Sequence, residues 1–69
     1  MLDRFLPEIE ELQADGAVVL LKWDGQRQTK CGTVVITKFE VDYVWRQDTD
    51  DIAHALQTAL ADYKATQGL

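Results

Sequence analysis

Apolar residues recur at helical spacing in the first part of the chain. Five of them fall on one face of a helix: Leu2, Phe5, Leu6, Ile9 and Leu12. Because proline is tolerated in the first turn of a helix, we expect the main helix to run from about Pro7 to Asp15. Residues 2–6 are expected to form a separate short turn. Gly16 is expected to take the left-handed conformation that ends many helices.

The next three segments have the composition of strands: 17–23, 29–38 and 39–47. In the third segment Val41, Tyr43 and Trp45 share one side, because successive strand residues point to opposite faces. Gly32 in the second segment predicts a β-bulge. The connections are too short for parallel crossovers, so the pattern predicts antiparallel pairing.

The last segment returns to helical spacing. Its apolar stripe consists of Ile52, Leu56, Ala59, Leu60 and Tyr63. Gly68 is expected to stop this helix. The order α-β-β-β-α predicts an α+β fold of two layers, a three-stranded antiparallel meander with two helices on one face. Residues 1–69 are expected to form a single domain, since so short a chain cannot build two cores.

Charge then limits the classes of partner. Twelve acidic residues face seven basic ones, for a formal net charge of -5. Nucleic acids and anionic membranes attract basic surfaces, so neither is expected to bind this chain. The longest apolar run, residues 17–21, is far shorter than the roughly 20 residues of a membrane-spanning helix. With no signal-like segment at its start, the chain is expected to be cytoplasmic.

Small size raises the question of what stabilises the fold. A domain this short buries only about 60% of the surface that its unfolded chain exposes. Cys31 is the only cysteine, so neither an internal disulfide nor a cysteine-rich zinc site can supplement the core. Self-association or a protein partner is the remaining source of extra stability.

Three aspartates and the only histidine crowd together before the last helix: Asp48, Asp50, Asp51 and His54. As helix-capping residues, Asp48 or Thr49 would accept a backbone N–H bond, and Asp50 and Asp51 would occupy the first turn. As a metal site, His54 would share a helix face with Asp50 or Asp51. A divalent metal normally needs three or four protein ligands, and no further ligand is evident. We therefore predict capping, and no metal or cofactor.

Catalytic motifs are weak throughout. Cys31 would need His54 as its base, and the sequence does not show whether the two meet. Serine is absent, which excludes a serine hydrolase triad, and the four glycines are too scattered to cradle a phosphate. We expect no enzyme activity.

The element order is similar to that of double-stranded-RNA-binding domains and of HicA-type toxins. The resemblance covers the topology of nearly the whole chain. A resemblance to those RNA-binding domains implies lysines at the start of the second helix, whereas this chain has Asp48, Asp50 and Asp51 there. A resemblance to HicA-type toxins implies a catalytic histidine in a Gly-Ser-His sequence on the strands, and this chain has no such sequence. A shared topology alone does not indicate that this chain has either function.

The sheet has more apolar residues than two short helices can cover. One supposition is that the inward residues are Val19, Leu21 and Trp23 of the first strand, Val34 and Ile36 of the second, and Val41, Tyr43 and Trp45 of the third. The outward side then has an apolar centre with a polar rim, as protein interfaces do. The expected partner-binding residues are Val18, Leu20, Lys22, Val35, Val44 and Arg46. We predict a small non-catalytic interaction module that forms a homodimer through this face or through an edge strand.

An alternative function follows from the acidic residues. An inhibitor of the immunity or antitoxin type would place them against a basic partner protein. The residues concerned are Glu8, Glu10, Glu11, Asp48, Asp50 and Asp51. Strong salt sensitivity of partner binding would favour this function over an apolar interface.

Overall fold

The computed structural model describes residues 2–68, which form two α-helices and a three-stranded antiparallel sheet. The elements are α1 (Leu6–Ala14), β1 (Val18–Trp23), β2 (Gly32–Lys38), β3 (Tyr43–Thr49) and α2 (Ile52–Gln67). Short 3-10 helices occupy Leu2–Phe5 and Phe39–Val41. The predicted α+β class and the order of helices and strands are confirmed.

The first helical segment divides as predicted. The 3-10 helix at Leu2–Phe5 buries Phe5, and α1 then begins one residue before Pro7, which therefore lies in the first turn. Gly16 has a φ of +91°, and the N–H of Ala17 returns to the carbonyl of Leu12 at 3.0 Å. This left-handed residue ends the helix and turns the chain into β1.

The sheet is a meander in the order β1-β2-β3. Gly32 pairs in regular register with Trp23 and with Thr49, so the predicted bulge is wrong. Glycine is needed there for packing, because a Cβ on Gly32 would lie 2.7 Å from Cγ1 of Ile52. The first residue of β2 thus lets the first turn of α2 approach the sheet closely.

The third strand begins later than predicted. Residues 39–41 form a 3-10 helix, and Asp42 follows in the left-handed region with a φ of +54°. Aspartate tolerates this conformation better than most residues. Val41 therefore lies outside the strand and is exposed, whereas it was expected to share a face with Tyr43 and Trp45. β3 continues through Thr49, two residues beyond the predicted end.

The core lies between the helices and one side of the sheet. α2 contacts β2 and β3, and α1 contacts β1. The predicted stripe of α2 is buried together with Val34 and Ile36 of the central strand. The shortest dimension of the molecule is 16 Å, a thickness that fits two layers. α2 ends at Gly68, which is left-handed at a φ of +74°, as predicted.

Within residues 2–68, neither helix combines the length and the apolar character that a bilayer-spanning segment requires.

Candidate interaction surface

Nine strand side chains point away from the helices, and we call this surface the outer face. Val34 and Ile36 are buried on the opposite side, and alternation along a strand fixes the direction of their neighbours. The register arranges the nine residues in three rows across the sheet. The rows are Val18–Thr37–Val44, Leu20–Val35–Arg46 and Lys22–Thr33–Asp48. The structure brings together all six residues that the sequence suggested for partner binding.

The four aliphatic residues of the first two rows form an apolar centre. Val18 is 53% exposed, Leu20 54% and Val44 70%, and all three lie on the two edge strands. Val35, between them on β2, is half-buried. These side chains are adjacent, so they make one continuous apolar area rather than scattered surface residues.

One end of the outer face carries positive charge. Lys22 and Arg46 are both exposed there, and we call these two residues the basic end. Asp48 lies next to them but is already engaged. It accepts a 2.8 Å hydrogen bond from the Thr33 hydroxyl, and Arg27 and Arg46 lie 3.4 and 3.5 Å away. The Thr33 bond, followed by these two cations, holds the pKa of Asp48 below its usual value.

Other charged groups beyond the basic end also have internal contacts. Arg27 lies 3.4 Å from Asp24 as well as from Asp48. Asp50 accepts a hydrogen bond from the backbone N–H of Lys30. These contacts partly neutralise the surrounding charges, which leaves Lys22 and Arg46 as the exposed cations on the face itself.

The opposite end of the sheet is acidic and apolar. Glu40 and Asp42, which we call the acidic end, are exposed in the connection between β2 and β3. Oε1 of Glu40 lies only 3.5 Å from where a Cβ of Gly16 would be, and its charge helps to raise the pKa of Tyr63, so this carboxylate lies toward the helix side of the sheet. Phe39 in the same connection is 81% exposed. The two ends of the sheet therefore differ in sign.

The acidic cluster before α2 caps the helix, but the capping residue differs from the one predicted. Asp51 is the N-cap, and its Oδ1 accepts the N–H of His54 at 3.1 Å. The hydroxyl of Thr49 accepts the N–H of Asp51 at 2.9 Å. The prediction of Asp48 or Thr49 as the cap was wrong, because both residues belong to β3. No group of three or more metal-ligating side chains converges within the part of the chain that the structure describes.

Cys31 lies in a cleft of about 840 Å³ at the end of the sheet, where Leu2, Trp23 and Ile52 also contribute to the wall. Its thiol donates a hydrogen bond to the carbonyl of Arg27 at 3.0 Å. His54 is exposed on α2 and does not line this cleft. Cys31 and His54 therefore do not share the wall of one site.

A polar cluster that sequence reasoning missed joins three elements on the helix side. The Tyr63 hydroxyl of α2 donates to Oδ2 of Asp15 at 2.6 Å, and Nζ of Lys38 donates to the same oxygen at 3.1 Å. These contacts lower the pKa of Asp15, the Tyr63 hydrogen bond foremost. Burial, together with the Asp15 carboxylate, raises the pKa of Tyr63 to about 12. No sequence signal links these residues, because they are far apart along the chain.

Comparison with known proteins identifies no relative: no family model matches the chain, and no curated protein or solved structure matches it either.

Proposed function

We propose that this chain is a small non-catalytic interaction module that associates with a second copy of itself through the outer face. The observation that supports this most directly is the exposure of Val18, Leu20 and Val44 on one surface, with Val35 of the central strand between them. Water-exposed apolar area of this kind gains free energy when it is covered. A polar rim around an apolar centre is also how protein interfaces are built.

The size of the outer face sets the expected affinity. Strands about 4.8 Å apart and about 20 Å long give a three-stranded footprint of roughly 300 Å² per copy. Stable complexes bury about 800 Å² per partner. We therefore expect a weak, reversible dimer, with a Kd of roughly 10–500 µM. No cofactor is part of the proposal, and a cytoplasmic location agrees with a single free cysteine.

Sedimentation velocity over a range of about 1–500 µM tests self-association, since this range spans the expected Kd. We expect the sedimentation coefficient of the wild type to rise with concentration. Val44→Asp should remain monomeric, because a carboxylate in the apolar centre would have to lose its water on pairing. Gln57→Asp, on the exposed side of α2, makes the same change of charge and should behave as wild type. A wild type that stays monomeric over the whole range would overturn the proposal.

An edge strand offers a second geometry for the same function. β1 and β3 each pair on one side only, so either has a row of backbone groups open to another strand. Amide hydrogen exchange at high protein concentration distinguishes the two geometries. Edge-to-edge pairing would slow exchange at alternate amides of β1 or β3, whereas face-to-face pairing leaves the outer edge of both strands open.

The acidic inhibitor is the alternative function, and Glu10 and Glu11 are its exposed candidates on α1. The other four acidic residues have internal contacts. Glu8 lies 2.9 Å from Lys64. Asp48, Asp50 and Asp51 accept hydrogen bonds from Thr33, Lys30 and His54 respectively. We therefore rank self-association first. Tight, salt-sensitive binding to a basic protein that Glu10→Gln and Glu11→Gln weaken would favour the inhibitor.

A further inference from the structure

We propose that the free edge of β1 binds an extended segment of another protein, which adds to the sheet as a fourth strand. On the side that faces α1, this segment carries an apolar residue with a basic residue next to it. The inference goes beyond the proposed self-association, because a strand added at the edge leaves the outer face free.

The backbone of β1 is open along this edge. The N–H of Asp24 donates to the carbonyl of Cys31, the residue opposite it in the register, at 2.7 Å. Hydrogen-bonded and non-hydrogen-bonded pairs alternate along an antiparallel ladder, so the even-numbered residues of β1 direct their backbone groups toward β2. Val19, Leu21 and Trp23 therefore direct theirs away from the sheet, where an added strand can bind them.

The two edges of the sheet differ in how well they suit a further strand. Natural edge strands avoid extra pairing through proline, bulges or several charges. β1 has no proline, its register with β2 is continuous, and Lys22 is its one charged residue. By the same alternation, the open backbone groups of β3 include those of Arg46 and Asp48, whose side chains lie 3.5 Å apart. The edge of β1 is therefore the more suitable one.

A cleft beside this edge can hold one side chain of the added strand. It has a volume of about 270 Å³ and is lined by Ile9, Gln13, Ala17, Val18 and Val19. An added strand lies about 4.8 Å from β1, and its residue opposite Val19 points to the same side of the sheet. An apolar side chain at that position would enter the cleft and cover Val19, which is only half-buried. Pockets for alternate side chains give this kind of binding its specificity.

The charge of α1 favours a basic segment. Glu10 is exposed and precedes Gln13 by three residues, so the two are neighbours on the helix surface and Glu10 lies at the rim of the cleft. Residues two apart in a strand point to the same side, so a basic residue two positions from the apolar one can reach Glu10. Glu11 is also exposed, but it lies about 160° around the helix from Gln13.

The same charge disfavours a second copy of this chain at the edge. Two β1 strands paired around a twofold axis would place both α1 helices on one side of the joined sheet, next to the axis. Glu10 of each copy would then approach the other, and like charges at an interface oppose association. A basic segment meets no such repulsion, because Lys22 points to the outer face on the other side of the sheet.

The experiment titrates the ¹⁵N-labelled protein with a blocked heptapeptide, in which a central valine and two lysines alternate with four threonines. Valine and lysines then share one side of the extended peptide. At about 0.15 M salt, where distant charges are screened, we expect saturable binding with a Kd of about 0.1–1 mM. The largest amide shifts should fall on Val19 and Leu21. Binding that does not saturate, or largest shifts on β3, would overturn the proposal.

Matched variants of the protein test the charge. Glu10→Lys should weaken binding of the peptide by roughly three- to tenfold, because an attractive contact becomes repulsive. Glu11→Lys makes the same change of charge on another side of α1 and should stay within about twofold of the wild type. Equal losses in the two variants would show that attraction at a distance is responsible, which would overturn binding beside the cleft. Circular dichroism verifies that these exposed substitutions leave the fold intact.

Matched peptides test the addition of a strand. Methylation of the backbone nitrogen of the central valine removes an N–H that would pair with Val19, and should weaken binding by roughly tenfold. Methylation of a neighbouring threonine alters an N–H that points away from β1 in an antiparallel pair, and should have little effect. Equal effects of the two methylations would overturn strand addition.

The remaining outcome concerns the occupant of the edge. If the amides of Val19 and Leu21 shift when the protein is concentrated without peptide, a second copy occupies the edge and the proposal is overturned. The proposed pairing of outer faces is tested separately by Val44→Asp, on the other side of the sheet from α1. That variant should bind the peptide as the wild type does, so the two proposals can fail independently.

Discussion

The two faces of this sheet contain similar aliphatic residues in opposite environments. Val34 and Ile36 point toward the helices and have no solvent exposure, whereas Val18 and Val44 point the other way and are more than half exposed. The difference arises because both helices pack on the same side. Side-chain type alone therefore does not determine burial in a domain this small. One face supplies the stability of the fold, and the other leaves aliphatic side chains exposed.

Polar groups show the same contrast. On the helix side, the hydroxyl of Tyr63 and the ammonium of Lys38 both reach Asp15, which joins α2, β2 and the end of α1. Tyr43 packs edge-on against Tyr63 with ring centres 5.2 Å apart. On the outer face, Lys22 and Arg46 extend into solvent. Internal contacts thus hold the first set in place, whereas the second is exposed, with Arg46 3.5 Å from Asp48.

The largest expected difference between the two faces comes from matched leucine truncations. Leu56→Ala should lower the free energy of unfolding by about 2–5 kcal/mol, because Leu56 is fully buried against the sheet. Leu20→Ala, on the outer face, should change it by less than about 0.5 kcal/mol. Urea unfolding at about 1 µM measures both, at a concentration where association contributes little. Equal losses would contradict the assignment of the two faces.

Gly32 provides the next largest effect. Gly32→Ala should cost about 1–3 kcal/mol, since its Cβ would collide with the side chain of Ile52 and force α2 away from the sheet. Gly25→Ala is the control, because nothing lies within 4 Å of that position. The second substitution Ile52→Ala should make Gly32→Ala less harmful than it is alone. If the double variant loses the sum of the two single losses of stability, the collision between a Cβ at position 32 and the side chain of Ile52 is not the cause of the Gly32→Ala loss.

The cap of α2 should have a smaller effect. Asp51→Ala removes the acceptor of the His54 N–H and should cost about 1 kcal/mol. Asp51→Asn keeps an acceptor at the same position and should remain near wild type. Thermal unfolding of the two variants compares them directly. If both lose the same stability, the charge of Asp51 matters more than the hydrogen bond.

The smallest expected effect is on the acid sensitivity of stability, which the polar cluster on the helix side should influence. The folded state lowers the pKa of Asp15 from the usual 3.8, so its contribution to stability is present above about pH 4 and is lost as the pH falls through the lowered value. Asp15→Asn, which cannot titrate, should therefore show a shallower loss of stability below pH 4. Tyr63→Phe removes the hydrogen bond that lowers this pKa most, so it should also make the loss below pH 4 shallower, by less than Asp15→Asn because the Lys38 contact remains. Urea midpoints measured between about pH 2 and pH 6 follow the effect.

Local patterns predicted most of the fold. The apolar spacing from Ile52 to Tyr63, the proline near the start of α1 and the glycines after each helix act within a few residues, so they can be read from the sequence. The period of two placed Val18 and Leu20 on one side of their strand, but their outward direction was a supposition that the burial of Val34 and Ile36 decided. The position of the apolar centre also needed the register of the strands, which the sequence did not give.

The errors of the sequence analysis share a cause. The start of β3 and the cap of α2 depended on how far β3 pairs with β2, which contacts between separate segments determine. The close approach of Gly32 to Ile52 and the joining of Asp15, Lys38 and Tyr63 also depended on such contacts.

The sequence alone therefore determined which residues can be buried and the type of each element, because these depend on local spacing. Only the tertiary structure decided where charge accumulates on the sheet. Lys22 and Glu40 lie at opposite ends of the sheet because the strands pair in a particular register, and that register depends on packing across the whole molecule.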